Sequence, residues 1–162
     1  MYLTDAYKMG HYKMYPEGLT KLTSCLVPRN TKYAIKPINP EDKDKVVVFG
    51  ISYLMQELSK AALSLQHLAY DSEYRDVKYK LLEKAGLTFP KEKLEKLWNL
   101  DSLPIEIKAL PEGTVVKAGT PILTITNTNP EYAWLVNWLE TFILSTIWKP
   151  CTVATIAYQY RK

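Results

Sequence analysis

The chain has 162 residues, of which 47% are apolar and 23% charged, with a formal net charge of +4 and two cysteines. Such values describe one ordinary globular domain, long enough to bury a core, and the modest positive charge would suit a phosphate-bearing substrate. They exclude a disulfide framework, because Cys25 and Cys151 are too few and too far apart, and they argue against nucleic-acid binding, because the lysines and arginines are spread along the chain rather than gathered in a block.

The two cysteines are too distant for a zinc signature and sit among apolar neighbours, so both are expected as buried free thiols. No signal peptide opens the sequence, and no uncharged apolar run approaches the ~18 residues of a spanning helix. No membrane partner and a cytoplasmic location are therefore the expectation.

Residues 3–18 mix the rings of Tyr7, Tyr12 and Tyr15 with Asp5, Lys8, Lys13 and His11, and show no steady apolar period. Aromatic faces interleaved with single charges suit a surface that grips a flat polar ligand, with a docking terminus as the competing reading. The spacing predicts a short helix or turn capped by Thr4 and stopped at Pro16-Glu17-Gly18. Residues 20–27 alternate as a strand, with Leu22, Ser24 and Leu26 on one side. Arg29 follows directly after Pro28, placed either to reach an anion or to rest as a solvated loop charge.

Residues 32–45 are polar and proline-rich, a loop. Val46-Val47-Val48-Phe49 predicts a short buried strand closed by Gly50. From Ile51 a helical stripe runs through Leu54, Met55, Leu58, Ala61, Ala62 and Leu65. His67 has no acidic or cysteine partner at ligand spacing, so it is expected as a surface or capping residue. Ser72 is the expected cap of a second helix with an inward stripe of Tyr74, Val77, Leu81, Leu82 and Ala85, ended by Gly86. Pro90 opens a third, with Leu94, Leu97 and Trp98 facing inward. The Glu and Lys residues of these helices read as solvated faces.

Residues 103–127 switch to period two and predict an antiparallel unit of about three sequential strands, turning at Pro111-Glu112-Gly113 and Lys117-Ala118-Gly119. This stretch also resembles the strands of biotinyl and lipoyl carrier domains, although Lys117 lacks the flanking motif of a modified lysine. Asn129-Pro130-Glu131 is a strong helix start. The helix that follows is apolar nearly all round, so it is expected to be central and buried, with Trp134, Trp138 and Trp148 in the core. Glu140 is the one charge in that run and requires a partner, structural rather than catalytic, for which Lys149 is a distant candidate. Helical spacing resumes at Thr152 after Pro150 and stops in mid-pattern at Lys162, which reads as a fragment's end. Serine, histidine and carboxylates form no triad-like group, and the six glycines form no phosphate-cradling cluster.

Four ordered blocks add to this reading. Thr4-Asp5-Ala6-Tyr7-Lys8 with His11-Tyr12-Lys13 and Tyr15-Pro16 is the first, and Leu26-Val27-Pro28-Arg29 the second. Leu103 through Gly113 is the third, and the stretch from Asn127 to Thr155, containing Asn137-Trp138-Leu139-Glu140-Thr141, is the fourth. Together they resemble the opening third of the nicotinamide phosphoribosyltransferase family. That resemblance implies an α+β fold, small antiparallel sheet units packed with several helices, as one amino-terminal domain over residues 1–162. In the family a catalytic α/β barrel, absent from this chain, follows and carries most of the phosphate cradle, one aromatic wall for the base and a histidine phosphorylated by ATP.

The implied activity is a pentosyl transfer that joins nicotinamide to phosphoribosyl pyrophosphate in NAD salvage, with the isolated 162-residue piece inactive. Nicotinate phosphoribosyltransferase is the sister alternative, and a non-catalytic carrier or partner-binding module the alternative of a different class. By resemblance, Tyr7 stacks on the nicotinamide ring, Asp5 lies near the ring's amide and the reacting ribose, and Arg29 reaches phosphate from the neighbouring subunit of a homodimer. Magnesium and ATP are implied for the complete enzyme, with no cofactor bound by this chain alone.

Overall fold

The computed structural model describes residues 4–31, 36–84, 86 and 89–160. The side chains of residues 65–70 and 78 also lie outside the description, and with them the predictions for Leu65 and His67; Ala85 lies outside the described residues. A 3-10 helix over Ala6–Lys13 comes first, then strand β1 (Thr23–Leu26), a 3-10 turn at Pro40–Asp42 and strand β2 (Lys45–Val47). Helices α1 (Ile51–Tyr70), α2 (Ser72–Lys84) and α3 (Lys91–Trp98) follow, and then strands β3 (Ile105–Ala109), β4 (Val115–Lys117) and β5 (Leu123–Asn127). A 3-10 turn at Pro130–Tyr132 leads into α4 (Ala133–Trp138) and α5 (Glu140–Tyr160). The class is α+β, small antiparallel sheets packed with helices.

The strands do not pair in sequence order. β5 is the middle of a three-stranded antiparallel sheet ordered β1-β5-β3, whereas β4 leaves its neighbours and pairs with β2. The expected unit of sequential strands is thus corrected. The turn at Gly113 (φ 87°) is pinned to the β2 side, its N–H donating to the Val48 carbonyl at 2.8 Å. Lys117 lies in the ladder opposite Lys45, and the next two N–H groups bond to the Asp44 and Pro28 carbonyls. No self-contained carrier hammerhead is formed.

Alternation decides which face of β5 is buried: Leu123, Ile125 and Asn127 point inward and Thr124 and Thr126 outward. Against the inner residues lies α4, buried almost throughout, with Leu135 and Val136 fully enclosed. Leu54 and Leu58 of α1, Leu94, Leu97 and Trp98 of α3, and Ile143 and Ile147 of α5 complete the core. Phe89 sits among Tyr12, Trp134 and Trp138, with ring centroids 5.1, 4.9 and 4.9 Å away, and so ties the 3-10 helix at 6–13 to α4.

Several expectations are corrected. The single long helix after Asn129 is a 3-10 turn and two helices separated at Leu139, and α5 runs on through Pro150 instead of restarting beyond it. Trp148 is 67% exposed rather than core, because α5 buries a single stripe, Ile143, Ile147, Cys151, Thr155 and Gln159, to which Trp148 does not belong. On α2 the buried ring is Tyr79 and Leu82 is half-buried, while Tyr74, Val77 and Leu81 are exposed. Its cap is Asp71, whose carboxylate accepts from the Tyr74 N–H at 2.9 Å, not Ser72. Cys25 is exposed on the outer face of β1 and only Cys151 is buried. Met55 and Phe49, both placed inward by spacing, are exposed.

Candidate functional site

The 3-10 helix at 6–13 buries Lys8 and Met9 and leaves the ring of Tyr7 63% exposed. Tyr7 and His11 lie in ring contact, with centroids 5.3 Å apart. Asp5 precedes the helix in extended conformation and its side chain makes no cap bond. Instead its Oδ2 accepts from the Thr141 hydroxyl at 2.7 Å and pairs with Lys8 Nζ at 2.9 Å. Thr4, the expected cap, has its hydroxyl oxygen buried without a hydrogen-bond partner.

Lys8 is 4% exposed and is the hub of this group. Its ammonium reaches Asp5, Glu140 Oε2 at 3.1 Å and the Thr141 hydroxyl oxygen at 2.8 Å. Three donors thus meet three acceptors, which is what allows an ammonium to be enclosed. Burial works against its charge, but the hydrogen bonds to Asp5 and Glu140 outweigh burial and raise its pKa. The same contacts, Lys8 first and Thr141 second, hold the Asp5 carboxyl below its ordinary value. Alongside, Asn137 Nδ2 donates to the Tyr15 hydroxyl at 2.8 Å, and the Ser24 hydroxyl donates to Asn137 Oδ1 at 3.4 Å.

The structure therefore brings Asp5 and Tyr7 together. Arg29 is exposed beyond the end of β1, and no contact among the described residues joins it to the Asp5–Lys8–Thr141 group. Glu140 is a half-exposed residue at the first turn of α5, not a buried one, and its partner is Lys8, not Lys149. Among the described residues no group of three or more His, Cys, Asp or Glu side chains is gathered to hold a metal. The Asp5–Glu140 pair already shares an ammonium, so this arrangement does not fit magnesium. No described helix is long and apolar enough to cross a membrane.

Lys8, Asn137 and Thr141 were not legible as site residues. The spacing of Asp5 and Lys8 is visible in the sequence, but nothing local joins them to a threonine 133 residues beyond Lys8. Only the grouping of Asn137, Glu140 and Thr141, on one side of a helical turn and its continuation, hints at a shared polar contact.

Residues 1–94 match the family described as nicotinamide phosphoribosyltransferase, N-terminal domain. The chain belongs to this family. Nicotinamide phosphoribosyltransferase of Acinetobacter baylyi is 33% identical over 163 residues, covering 98% of this chain and 32% of that protein. The enzyme of the same name from Xanthomonas campestris pv. campestris is 28% identical, with 98% and 31% covered, and that from Mycoplasma pneumoniae 30%, with 94% and 36% covered. The chain thus spans about a third of the length of these curated relatives. Its fold is similar to the crystal structure of human nicotinic acid phosphoribosyltransferase, with a TM-score of 0.62 and 22% identity over 96% of this chain and 27% of that one. The matched family segment contains Asp5, Tyr7, Lys8 and Arg29.

Proposed function

We propose that this chain is the amino-terminal domain of a pentosyltransferase that joins nicotinamide to phosphoribosyl pyrophosphate, forming nicotinamide mononucleotide and pyrophosphate in NAD salvage. One observation carries the reading: within the family segment, an exposed Tyr7 ring stands beside a carboxylate, Asp5, held ionised by a buried lysine. In this reading Tyr7 stacks on the pyridine ring, a contact that contributes about 0.5–1.5 kcal/mol beyond burial. Asp5 stabilises the positive charge that grows on the ribose as the bond to pyrophosphate breaks and the ring nitrogen bonds to the anomeric carbon. Arg29, permanently charged and exposed, takes a phosphate in a forked contact.

The domain works within a longer polypeptide, joined to a catalytic barrel, as a homodimer in the cytoplasm. Coverage of about a third of each curated relative supports the first of these points. Apart from Arg29, most of the phosphate cradle, and any magnesium or ATP, belongs to the remainder of the enzyme.

The test is steady-state kinetics of the complete enzyme with nicotinamide and with nicotinate. Product from nicotinamide alone is the expected result, and preference for nicotinate would replace this reading by its sister. Tyr7→Ala should raise the nicotinamide KM about tenfold, the upper end of a 0.5–1.5 kcal/mol stacking contribution. Arg29→Ala should instead raise the KM for phosphoribosyl pyrophosphate or ATP. An unchanged nicotinamide KM in Tyr7→Ala would remove the stacking role.

A further inference from the structure

We propose that Lys8 is a positioning residue: it does not touch substrate, but with Thr141 and Glu140 it clamps the Asp5 carboxylate, and the turn bearing Tyr7, in the orientation the reaction uses. The clamp deepens the functional reading above and rests on it for the roles of Asp5 and Tyr7.

The geometry is specific. Asp5 Oδ2 is engaged twice, by Lys8 at 2.9 Å and by Thr141 at 2.7 Å, which leaves Oδ1 as the oxygen that neither contact uses. Lys8 in turn is fixed by Glu140 and Thr141, both in the first turn of a helix seated in the core. Its Nζ lies 5.7 Å from the centroid of the Tyr7 ring, so the side chain that orients the carboxylate also lies next to the aromatic face. Lys8 itself is enclosed and cannot meet a ligand, whereas Tyr7 is open to one.

A surface salt bridge would not serve this purpose, since two exposed chains rarely hold one geometry. Here one partner is enclosed and three acceptors converge on it, so the carboxylate has one arrangement rather than many. Misplacing a catalytic group by about 1 Å can cost up to 10²-fold in rate. The charged and titratable groups against Asp5 are Lys8 and Tyr7 on its own segment, with Glu140 of α5 joined to it through Lys8 and His11 standing against Tyr7. Of these Lys8 is the cation in direct contact, and its removal should be read out at Asp5.

Two measurements test the clamp. The carboxyl carbon resonance of Asp5 is titrated by NMR in this chain and in Lys8→Met, which keeps the length of the side chain and removes its charge. In Lys8→Met Asp5 should titrate at higher pH than in the parent protein; titration at the parent's pH overturns the proposal. Asp5 and Glu140 are both partly open to water, so loss of Lys8 does not strand a buried charge. Glu140→Gln, which keeps Lys8 and removes the carboxylate that shares its ammonium, is the second variant and should move Asp5 the opposite way, to lower pH, because a neighbouring like charge is lost; a rise in both variants would overturn the proposal.

In the complete enzyme, Lys8→Met should lower kcat/KM for nicotinamide by roughly tenfold and shift the acid limb of its pH profile upward, and Lys8→Arg should recover most of the loss. A role in folding alone would lower the melting temperature and leave that limb in place, which also overturns the proposal. If Tyr7→Ala and Asp5→Asn leave nicotinamide use unchanged, the functional reading fails by itself, and the Asp5 titration still decides the clamp.

Discussion

Lys8 and Tyr79 show two opposite ways of enclosing a titratable group. Lys8 is kept charged by three acceptors that follow it out of water. Tyr79 is kept neutral: burial is the largest cause of its raised pKa, and the nearby Glu95 carboxylate adds to it. Its hydroxyl faces Glu95 Oε1 at 3.3 Å and the Lys91 carbonyl at 3.4 Å, both acceptors, so a phenolate there would find a donor in neither. A group whose folded pKa is raised contributes stability that is whole below its unfolded value and lost as pH rises through the folded one. For Tyr79 the unfolded value is 10.0, and Tyr15 and Tyr132 are shifted in the same direction by burial. Phenolate absorbance should therefore rise in two stages above about pH 10, the second coinciding with loss of helix signal. Tyr79→Phe should shrink the second stage and move the unfolding to higher pH. A single titration complete before any loss of helix would contradict this account. Neither enclosure could be read locally: Tyr79 lay off the apolar stripe assigned to α2, and Lys8 looked like one charge among several.

Elements were legible where the local period was uninterrupted. Leu54 and Leu58 on α1, and Leu94, Leu97 and Trp98 on α3, are buried as their spacing required. The period misleads where a neighbour changes the rules, and Pro150 is the clearest case. A proline inside a helix removes one N–H and normally kinks or ends the helix. Here α5 continues through the proline, and the Pro150 ring lies close against Gly50, a residue with φ of 93°. A Cβ built on Gly50 would lie 2.7 Å from Pro150 Cβ and 2.9 Å from its Cγ, with the ring held in the helix and unable to swing aside. Gly50→Ala therefore combines a left-handed backbone penalty with overpacking, roughly 2–5 kcal/mol together. Chemical denaturation should show that loss. Pro150→Ala in the same chain removes the Cγ contact at 2.9 Å and keeps the Cβ at 2.7 Å, so it should recover only part of the overpacking and leave the backbone part. Equal loss in the single and double variants would mean that the ring contact has no energetic weight.

At the scale of the whole molecule the fold is assembled from distant pairings, and this is the part that local sequence could not disclose. β1 meets β5 across about a hundred residues, with Leu22 N–H donating to Asn127 Oδ1 at 2.7 Å and Asn127 Nδ2 donating back to the Thr20 carbonyl at 2.9 Å. β2 hangs on α5 by the bond from Val47 N–H to the Thr155 hydroxyl at 3.0 Å. The three-stranded sheet, the 3-10 helix at 6–13 and α5 meet α4, whose Leu135 is closed to solvent, and α5 in turn carries β2 and α1. A chain with one such shared core should unfold as one unit, whatever it is joined to. Leu135→Ala removes buried methyl groups at that centre and should cost about 2–5 kcal/mol. Unfolding in urea would be followed by far-ultraviolet circular dichroism for the helices and by tryptophan fluorescence for Trp134 and Trp138, which sit on the same element. In the parent chain the two transitions should coincide, and in Leu135→Ala both should move to lower urea together with little change in slope. If the variant moved the fluorescence transition and left the helix signal behind, α1 to α3 would be stable apart from the sheet, and the clamp at Lys8, which depends on α4 and α5 meeting the first helix, would belong to a smaller unit than the one described.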